Sequence, residues 1–236
     1  MKYSLVLVIL GAAAFLVLTP SPSYAQEGGG GFNKLNLDLP FDAGGTQEEE
    51  EEAPEIVVFY GQQYEGDGIF FSCDKSGSMN EGNKFKKLQQ EVIKNISQFS
   101  ERVEFGICFF DAGLSKFPTS GQPAKASAAM KAAGSAYVMS TAPGHGTCSK
   151  PALITCLQFA NQSSAKRKVI IHLSDGFNYC GGADEATYSR ECLNEVSQRN
   201  TCRAHVNTIG FGASVNEQFM KALAAQNSGS YSRVVE

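Results

Sequence analysis

The sequence has no tryptophan, only three histidines, and neither a histidine–cysteine spacing typical of zinc sites nor the Ser-His-Asp order of a hydrolase triad. It also lacks a strong charge of either sign, since 20 basic residues face 24 acidic ones. This balance excludes a histone-like nucleic-acid binder. What the chain does have is length, 236 residues of which 42% are apolar. That is enough to bury a core, which excludes a disulfide-only miniprotein and a fully disordered chain.

The first 25 residues predict a secretory signal peptide. Lys2 is followed by the apolar run 3–18, prolines break the helix, and Ser23 and Ala25 have the small side chains that a signal peptidase prefers. The run is shorter than the roughly 20 residues that cross a bilayer, so an uncleaved anchor is the less favoured interpretation. We expect a mature chain without a membrane span that begins at Gln26 and is exported to the periplasm or the extracellular space.

Residues 26–55 predict a flexible acidic linker. The segment contains four consecutive glycines, five consecutive glutamates at 48–52, and nine acidic residues against one base. Such a segment cannot bury enough apolar surface to offset its ordering entropy. The remaining residues 56–236 carry 18 bases and 15 acids, a net charge of +3, and predict the folded domain.

Strand and helix patterns alternate through this domain. Short apolar runs at 68–73, 103–110, 169–173 and 205–210 predict strands, with 114–118 and 231–235 as shorter ones. Amphipathic or alanine-rich stretches at 85–99, 122–137, 149–162, 183–199 and 215–225 predict helices. This order is typical of an α/β fold, a doubly wound and mostly parallel central sheet flanked by helices.

Small oxygen-bearing side chains gather in three predicted loops. They are Asp74, Ser76 and Ser78 after the first strand, Thr147 before a helix, and Asp175 after a central strand. Ligands of such sheets bind beyond the carboxyl ends of the strands, where the first and third loops are expected to be adjacent. Two carboxylates and three hydroxyls suit Mg²⁺, and neutral hydroxyl ligands leave the ion with net positive charge and an open coordination position.

These motifs resemble the von Willebrand factor type A domain and its metal-ion-dependent adhesion site. The similarity runs from about residue 68 to residue 236, through DKSGSM at 74–79, Thr147, LSDG at 173–176 and TIGFG at 208–212. It implies that Ser76, Ser78 and Thr147 coordinate a divalent cation, Mg²⁺ by preference over Mn²⁺ or Ca²⁺. It also implies that Asp74 and Asp175 bind the ion directly or through water.

Four residues around these loops are predicted to form a partner-binding rim. They are His145, which stands where the family usually has glycine, and Phe177, Asn178 and Tyr179 after the third loop.

Seven cysteines leave at least one thiol unpaired, and Cys73 and Cys108 are predicted to be buried core residues. Cys180 with Cys192 is the preferred disulfide, while Cys148 with Cys180 and Cys180 with Cys202 remain open.

We expect a secreted, non-enzymatic binding module whose ion captures an aspartate or glutamate of a partner protein. The alternatives are a Mg²⁺-dependent, phosphatase-like hydrolase and a subunit of a larger envelope complex. Against the hydrolase, Ser76 occupies the place where aspartyl-phosphate enzymes carry a second aspartate. A linker glutamate that fills the open metal position and masks the site is a further hypothesis. The oligomeric state does not follow from the sequence.

Overall fold

The computed structural model describes residues 53–182 and 184–234. The predicted signal peptide and nearly all of the predicted linker lie outside the described residues, as does Ala183. Within the described part, no helix is both long enough and apolar enough to cross a membrane.

In residues 53–182 and 184–234, nine strands and five helices follow one another. The strands are β1 (Ile56–Phe59), β2 (Gln62–Glu65), β3 (Gly68–Asp74), β4 (Glu104–Phe110), β5 (Leu114–Phe117), β6 (Ala124–Lys125), β7 (Lys168–Ser174), β8 (His205–Phe211) and β9 (Tyr231–Val234). The helices are α1 (Lys84–Gln98), α2 (Ala128–Ser140), α3 (Ser149–Gln162), α4 (Glu185–Arg199) and α5 (Glu217–Gln226), and a 3₁₀ segment (Gly77–Asn83) precedes α1.

The main sheet has the strand order β5-β4-β3-β7-β8-β9. Strands β4, β3, β7, β8 and β9 run parallel, whereas β5 and β6 both pair with β4 in the antiparallel sense. The predicted α/β architecture is therefore confirmed, as a mixed and mostly parallel sheet. Because β3 and β7 are neighbours, the loops that leave their carboxyl ends lie side by side.

Helices cover both faces of this sheet, and each face has its own apolar core. Side chains of α1 such as Leu88 and Val92 pack on one face together with Phe71 and Phe109 of the strands. On the other face, Phe70 and Ile170 pack against α3, α4 and α5. Strands β3, β4 and β7 are buried almost throughout because residues pointing either way meet a core.

The second predicted helix begins later than its sequence suggests. We expected it over 122–137, but Ala124 and Lys125 form β6, and the helix spans Ala128–Ser140. The Ser127 side chain accepts a hydrogen bond from the Met130 backbone N–H at 3.3 Å, which caps the first turn. Alanines are compatible with either structure, so the cap rather than the composition sets this boundary.

A β-hairpin precedes the sheet, and the sequence patterns above do not predict it. Strands β1 and β2 pair antiparallel around Tyr60 and Gly61, which both have positive φ angles (48° and 76°). Val57 and Phe59 are buried in the core on the α1 side. The folded part therefore includes the residues immediately after the acidic segment as a packed element.

Candidate functional site

The first and third predicted loops meet at the centre of the sheet. Asp74 is the last residue of β3 and Ser174 the last residue of β7, and the two strands are paired up to Cys73 and Leu173. The Ser174 hydroxyl donates a hydrogen bond to Asp74 Oδ2 over 2.6 Å. This bond fixes the two strand ends to each other directly below the loops.

Asp74 is fully buried and both of its carboxylate oxygens are engaged. Oδ1 accepts from the Ser76 backbone N–H at 2.7 Å, and Oδ2 accepts from Ser174. Burial raises the pKa of Asp74 to about 6; hydrogen bonds from Ser174 and Ser76 oppose the shift, and the charge of Asp175 adds to it. The carboxylate therefore orients the loop from below and is a buried charge that benefits from a nearby cation.

Ser76, Ser78 and Asp175 form a continuous chain of hydrogen bonds above Asp74. The Ser76 and Ser78 hydroxyl oxygens lie 3.0 Å apart, and the Ser78 hydroxyl donates to Asp175 Oδ1 over 2.7 Å. The alternating spacing directs both serines to one side of the loop, as expected. The structure thus brings together four of the five predicted ligands, from two separate segments of the chain.

Lys84 belongs to this cluster, although sequence reasoning did not select it. Its ammonium group lies 2.6 Å from Asp175 Oδ2 and 3.3 Å from the carbonyl oxygen of Ser78. The Lys84 side chain is 13% exposed and that of Asp175 only 1%. The positive charge of Lys84 therefore compensates one of the two carboxylates at the site.

The loop containing Thr147 is fixed beside this cluster through the backbone. Gly144 N–H donates to the carbonyl of Lys75 at 2.7 Å, and a side chain at Gly144 would place its Cβ 1.9 Å from Asp111 Oδ2. A larger residue at position 144 would therefore displace the Asp111 carboxylate, which forms an ion pair with Lys75. Burial raises the pKa of Asp111, but hydrogen bonds from Lys75 and Gly113 outweigh it, so the pKa is lowered overall.

Thr147 itself is buried at the same edge of the sheet. Its backbone exchanges two 2.9 Å hydrogen bonds with Tyr179, which follows the β7 loop. Within the described ranges, no hydrogen bond joins the Thr147 side chain to the other four predicted ligands. Thr147 is thus held next to the cluster through Tyr179 and the Gly144 loop, and its hydroxyl is not part of the bonded chain.

The four predicted rim residues separate into two kinds. His145, Phe177 and Tyr179 are exposed, and the side chains of Phe177 and Tyr179 are 54% and 79% accessible. Asn178 is buried: it accepts a hydrogen bond from the Ser149 hydroxyl and donates one to the Ser189 hydroxyl at 3.2 Å. Asn178 therefore holds the β7 loop onto α3 and α4 and does not present its side chain to a partner.

The predicted disulfide between Cys180 and Cys192 is wrong. Cys180 is bonded to Cys148, with a Cα–Cα distance of 4.9 Å, and Cys192 is a free, buried thiol on α4. The antiparallel pairing of Thr147 with Tyr179 brings together the two segments that carry Cys148 and Cys180. The disulfide therefore joins the second loop to the third. Cys73 and Cys108 are free and buried, as expected.

The donor set of this cluster suits a small, hard cation. Within the described ranges, no group of three or more His, Cys, Asp and Glu side chains is placed to hold a metal. The cluster instead combines two carboxylates with neighbouring hydroxyls, a mixture that Mg²⁺ accepts when water completes its coordination.

His172, below the site, is a packing residue as expected. Its ring stacks on Phe110, and burial lowers its pKa to about 3.

Comparison with known proteins agrees with this architecture. No protein-family model matches the chain. Human inter-alpha-trypsin inhibitor heavy chain H4 is 28% identical over 175 residues, which are 71% of this chain and 18% of that protein. Among solved structures, a von Willebrand factor type A protein from Catenulispora acidiphila is similar with a TM-score of 0.64 at 18% identity, covering 74% of this chain and 40% of that one.

A pilus adhesin provides a further structural likeness. SpaC from Lactobacillus rhamnosus GG has a TM-score of 0.57 at 16% identity, over 73% of this chain and 28% of the adhesin. The chain thus corresponds to less than half of each of these three proteins. The likenesses and the strand order define the fold as that of a von Willebrand factor type A domain.

Three residues at the site were not selected from the sequence: Ser174, Lys84 and Asp111. Ser174 stands next to Asp175 at the end of a predicted strand, so its position in the sequence could have identified it as a site residue. Lys84 is one of several lysines in the polar stripe of α1, and the pattern does not distinguish it from them. Asp111 follows β4, whose carboxyl end lies beside that of β3, which was also a usable signal.

Proposed function

We propose that this chain is an exported, non-enzymatic adhesion or assembly module that binds a partner protein through a divalent cation, with Mg²⁺ preferred. The observation that carries the proposal is the hydrogen-bonded chain of Ser76, Ser78 and Asp175 directly above buried Asp74. Such a preorganised set of oxygen donors at the carboxyl ends of two central strands is the arrangement that the sequence resemblance implies.

Each residue has a defined task in this proposal. Ser76, Ser78 and Thr147 offer hydroxyl oxygens to the ion, while Asp74 holds the Ser76 backbone and Asp175 holds the Ser78 hydroxyl. When bound, the ion supplies a positive charge with an open coordination position that accepts a carboxylate from a partner. Phe177, Tyr179 and His145 surround the site and add contacts that select the partner.

The surface next to the site offers room for the partner. Phe177, Ser78 and Asp175 line an open groove of about 710 Å³. Arg233 lies in the same groove, where it forms an ion pair with Glu217 at the N-terminus of α5. A partner whose aspartate or glutamate reaches the ion therefore meets the exposed ring of Phe177 beside it.

The position of Asp74 favours binding over hydrolysis. A nucleophilic aspartate needs an accessible oxygen for in-line attack, but Asp74 is fully buried and both of its oxygens accept hydrogen bonds. Asp74 is therefore proposed to position the loop and not to react with a substrate. A screen of phosphate esters with Mg²⁺ is expected to show no turnover.

Export is the second part of the proposal. A disulfide between Cys148 and Cys180 supports it, since disulfides persist in oxidising compartments. The predicted signal peptide supports it from the sequence. Intact mass of the native protein is expected to give a chain that begins at Gln26; a mass that includes Met1 contradicts this part.

Metal binding and partner capture test the first part. Calorimetric titration with MgCl₂ is expected to show one site that Asp74→Ala and Ser78→Ala abolish, while Glu191→Gln, an exposed acidic control on α4, leaves it unchanged. Capture of native extracellular partners is expected to disappear with EDTA and with Asp74→Ala. Capture that survives both treatments contradicts the proposal.

A further inference from the structure

A second groove lies at the opposite end of the sheet from the candidate metal site. It has a volume of about 430 Å³ and lies between β2 and the first residues of β7 and β8. Its lining is rich in positive charge, and the cationic side chains are Lys166, Arg167, Lys168 and Arg203. His205 adds an exposed imidazole, and Glu65 is the one acidic side chain among the residues that line it.

Three of the four cations are available to a ligand. Arg167 is held by Asp67, with Nε 3.0 Å from Oδ2. Lys166, Lys168 and Arg203 form no ion pair with any of the described residues, 53–182 and 184–234. Because these cationic side chains line one groove without acidic partners among the described residues, the groove is electrostatically suited to a negatively charged ligand.

The backbone of β2 adds a second recognition element. Residues 63–65 of β2 line the groove and no residue of β1 does, so the groove lies on the side of β2 that faces away from β1. Gly66 N–H donates to the carbonyl of Glu55, and in that antiparallel register Gln63 and Glu65 direct their backbone groups to the groove side. Within the described part of the chain, those groups have no hydrogen-bond partner.

We propose that this groove binds an extended acidic peptide segment of a partner, which adds to the free edge of β2 as a further strand. The peptide backbone pairs with Gln63 and Glu65, and its carboxylates contact Lys166, Lys168 and Arg203. An unpaired edge supplies affinity through main-chain hydrogen bonds, and the flanking charges supply selectivity. The site is independent of the proposed metal site, because it lies at the other end of the strands.

The test uses a defined peptide and a built-in reporter. A fluorescein-labelled, capped peptide of three alternating Glu-Val pairs is titrated into the full protein at low salt, followed by anisotropy. An analogue with N-methylated backbone amides keeps the negative charge of the peptide and removes its main-chain hydrogen bonds to β2. A heparin hexasaccharide is negatively charged but has no peptide backbone.

Cys202 lines the groove and is the one free cysteine of the described residues that is not buried. Its alkylation rate therefore reports whether the peptide occupies the groove.

Specific results support the assignment. The Lys166→Gln/Lys168→Gln variant is expected to bind the peptide about tenfold more weakly. The control Lys86→Gln/Lys94→Gln, which removes two exposed charges from α1, is expected to bind as the wild type does. Bound peptide is expected to slow Cys202 alkylation, and EDTA or Asp74→Ala is expected to leave peptide affinity unchanged.

Other results overturn it. Equal affinity for the N-methylated peptide or for the hexasaccharide shows attraction of any anion and contradicts strand addition. Unprotected Cys202, or equal losses in the groove variant and the α1 control, places the peptide elsewhere. Because the metal site is tested with Mg²⁺ and EDTA, failure of either proposal leaves the other intact.

Discussion

The ammonium group of Lys84 lies 2.6 Å from Asp175 Oδ2, within the cluster of oxygen atoms proposed to hold a divalent cation. One positive charge of the chain itself thus occupies the neighbourhood that an ion would enter. It stabilises a carboxylate that is otherwise almost completely buried. A cation that binds next to Ser78 and Asp175 must tolerate this charge or displace it, so Lys84 is expected to lower the affinity of the proposed metal site.

Replacement of Lys84 is therefore expected to change two properties in opposite directions. Lys84→Met removes the repulsion and is expected to tighten Mg²⁺ binding by about tenfold, which corresponds to roughly 1.4 kcal/mol. The same change leaves Asp175 without its counter-charge and is expected to lower the free energy of unfolding of the metal-free protein by about 2–4 kcal/mol. Titration calorimetry and urea unfolding in EDTA measure the two effects. Lys86→Met, on the exposed side of α1, is the control, and equal effects in both variants contradict the account.

The raised pKa of Asp74 predicts a pH dependence of the metal-free protein. Because its folded pKa of about 6 exceeds the ordinary value of 3.8, folding favours the protonated form. Its contribution to stability is therefore largest below pH 4 and is lost as the pH rises to about 6. Asp74→Asn removes this loss and is expected to be more stable than the wild type at pH 7.5 in EDTA, by up to about 3 kcal/mol. Parallel stability curves of the two proteins between pH 4 and 7.5 contradict this.

The disulfide between Cys148 and Cys180 is expected to contribute substantially to stability. It closes a loop with a sequence separation of 32 residues and joins two of the three site loops. Cys180→Ser is expected to lower the free energy of unfolding by about 2–4 kcal/mol, since the unfolded chain gains entropy. Cys202→Ser, at a half-buried free thiol, is the control and is expected to change little. Peptide mapping without reduction checks the connectivity, and a Cys180–Cys192 peptide contradicts it.

Asn178 and Phe177 are neighbours in sequence that are expected to respond differently to mutation. Asn178→Ala leaves the buried Ser149 hydroxyl without its acceptor, whereas the Ser189 hydroxyl still donates to Glu185, and the change is expected to cost about 1–3 kcal/mol of stability. Phe177→Ala removes an exposed ring and is expected to leave the thermal midpoint unchanged while weakening partner capture. A stability loss in Phe177→Ala similar to that in Asn178→Ala assigns both residues to the fold alone.

Much of the fold follows from local patterns in the sequence. The stripe of Phe85, Leu88 and Val92 predicts α1 because a helix buries one face, and the apolar run before Asp74 predicts a central strand because both of its faces are covered. The hairpin was missed because its turn, Tyr60-Gly61, lacks the Asn-Gly or Asp-Gly signal. The β-branched run 56–58 was present and was a usable signal.

The cluster at the candidate site was predictable where its residues lie in one loop or follow neighbouring strands. Contacts between segments that are distant in the sequence were not predictable. Asp74, Ser76 and Ser78 lie within one loop, and Asp175 follows the neighbouring strand, so chain order and sheet topology suffice to bring them together. The partner of Cys180 depends on the pairing of Thr147 with Tyr179, 32 residues apart, and no local pattern specifies that pairing. The contact of Lys84 with Asp175 likewise depends on where α1 begins after the 3₁₀ segment.

Anomalous diffraction from crystals grown with MnCl₂ tests the central claim most directly, because manganese replaces magnesium at oxygen sites and its anomalous signal distinguishes it from a water molecule. One strong peak is expected at the carboxyl ends of β3 and β7, within about 2.5 Å of the Ser76 and Ser78 hydroxyl oxygens. The same peak is expected to be absent from crystals of Asp74→Ala. A wild-type crystal without a peak at this position, or with its only peak elsewhere, contradicts the metal-dependent binding site.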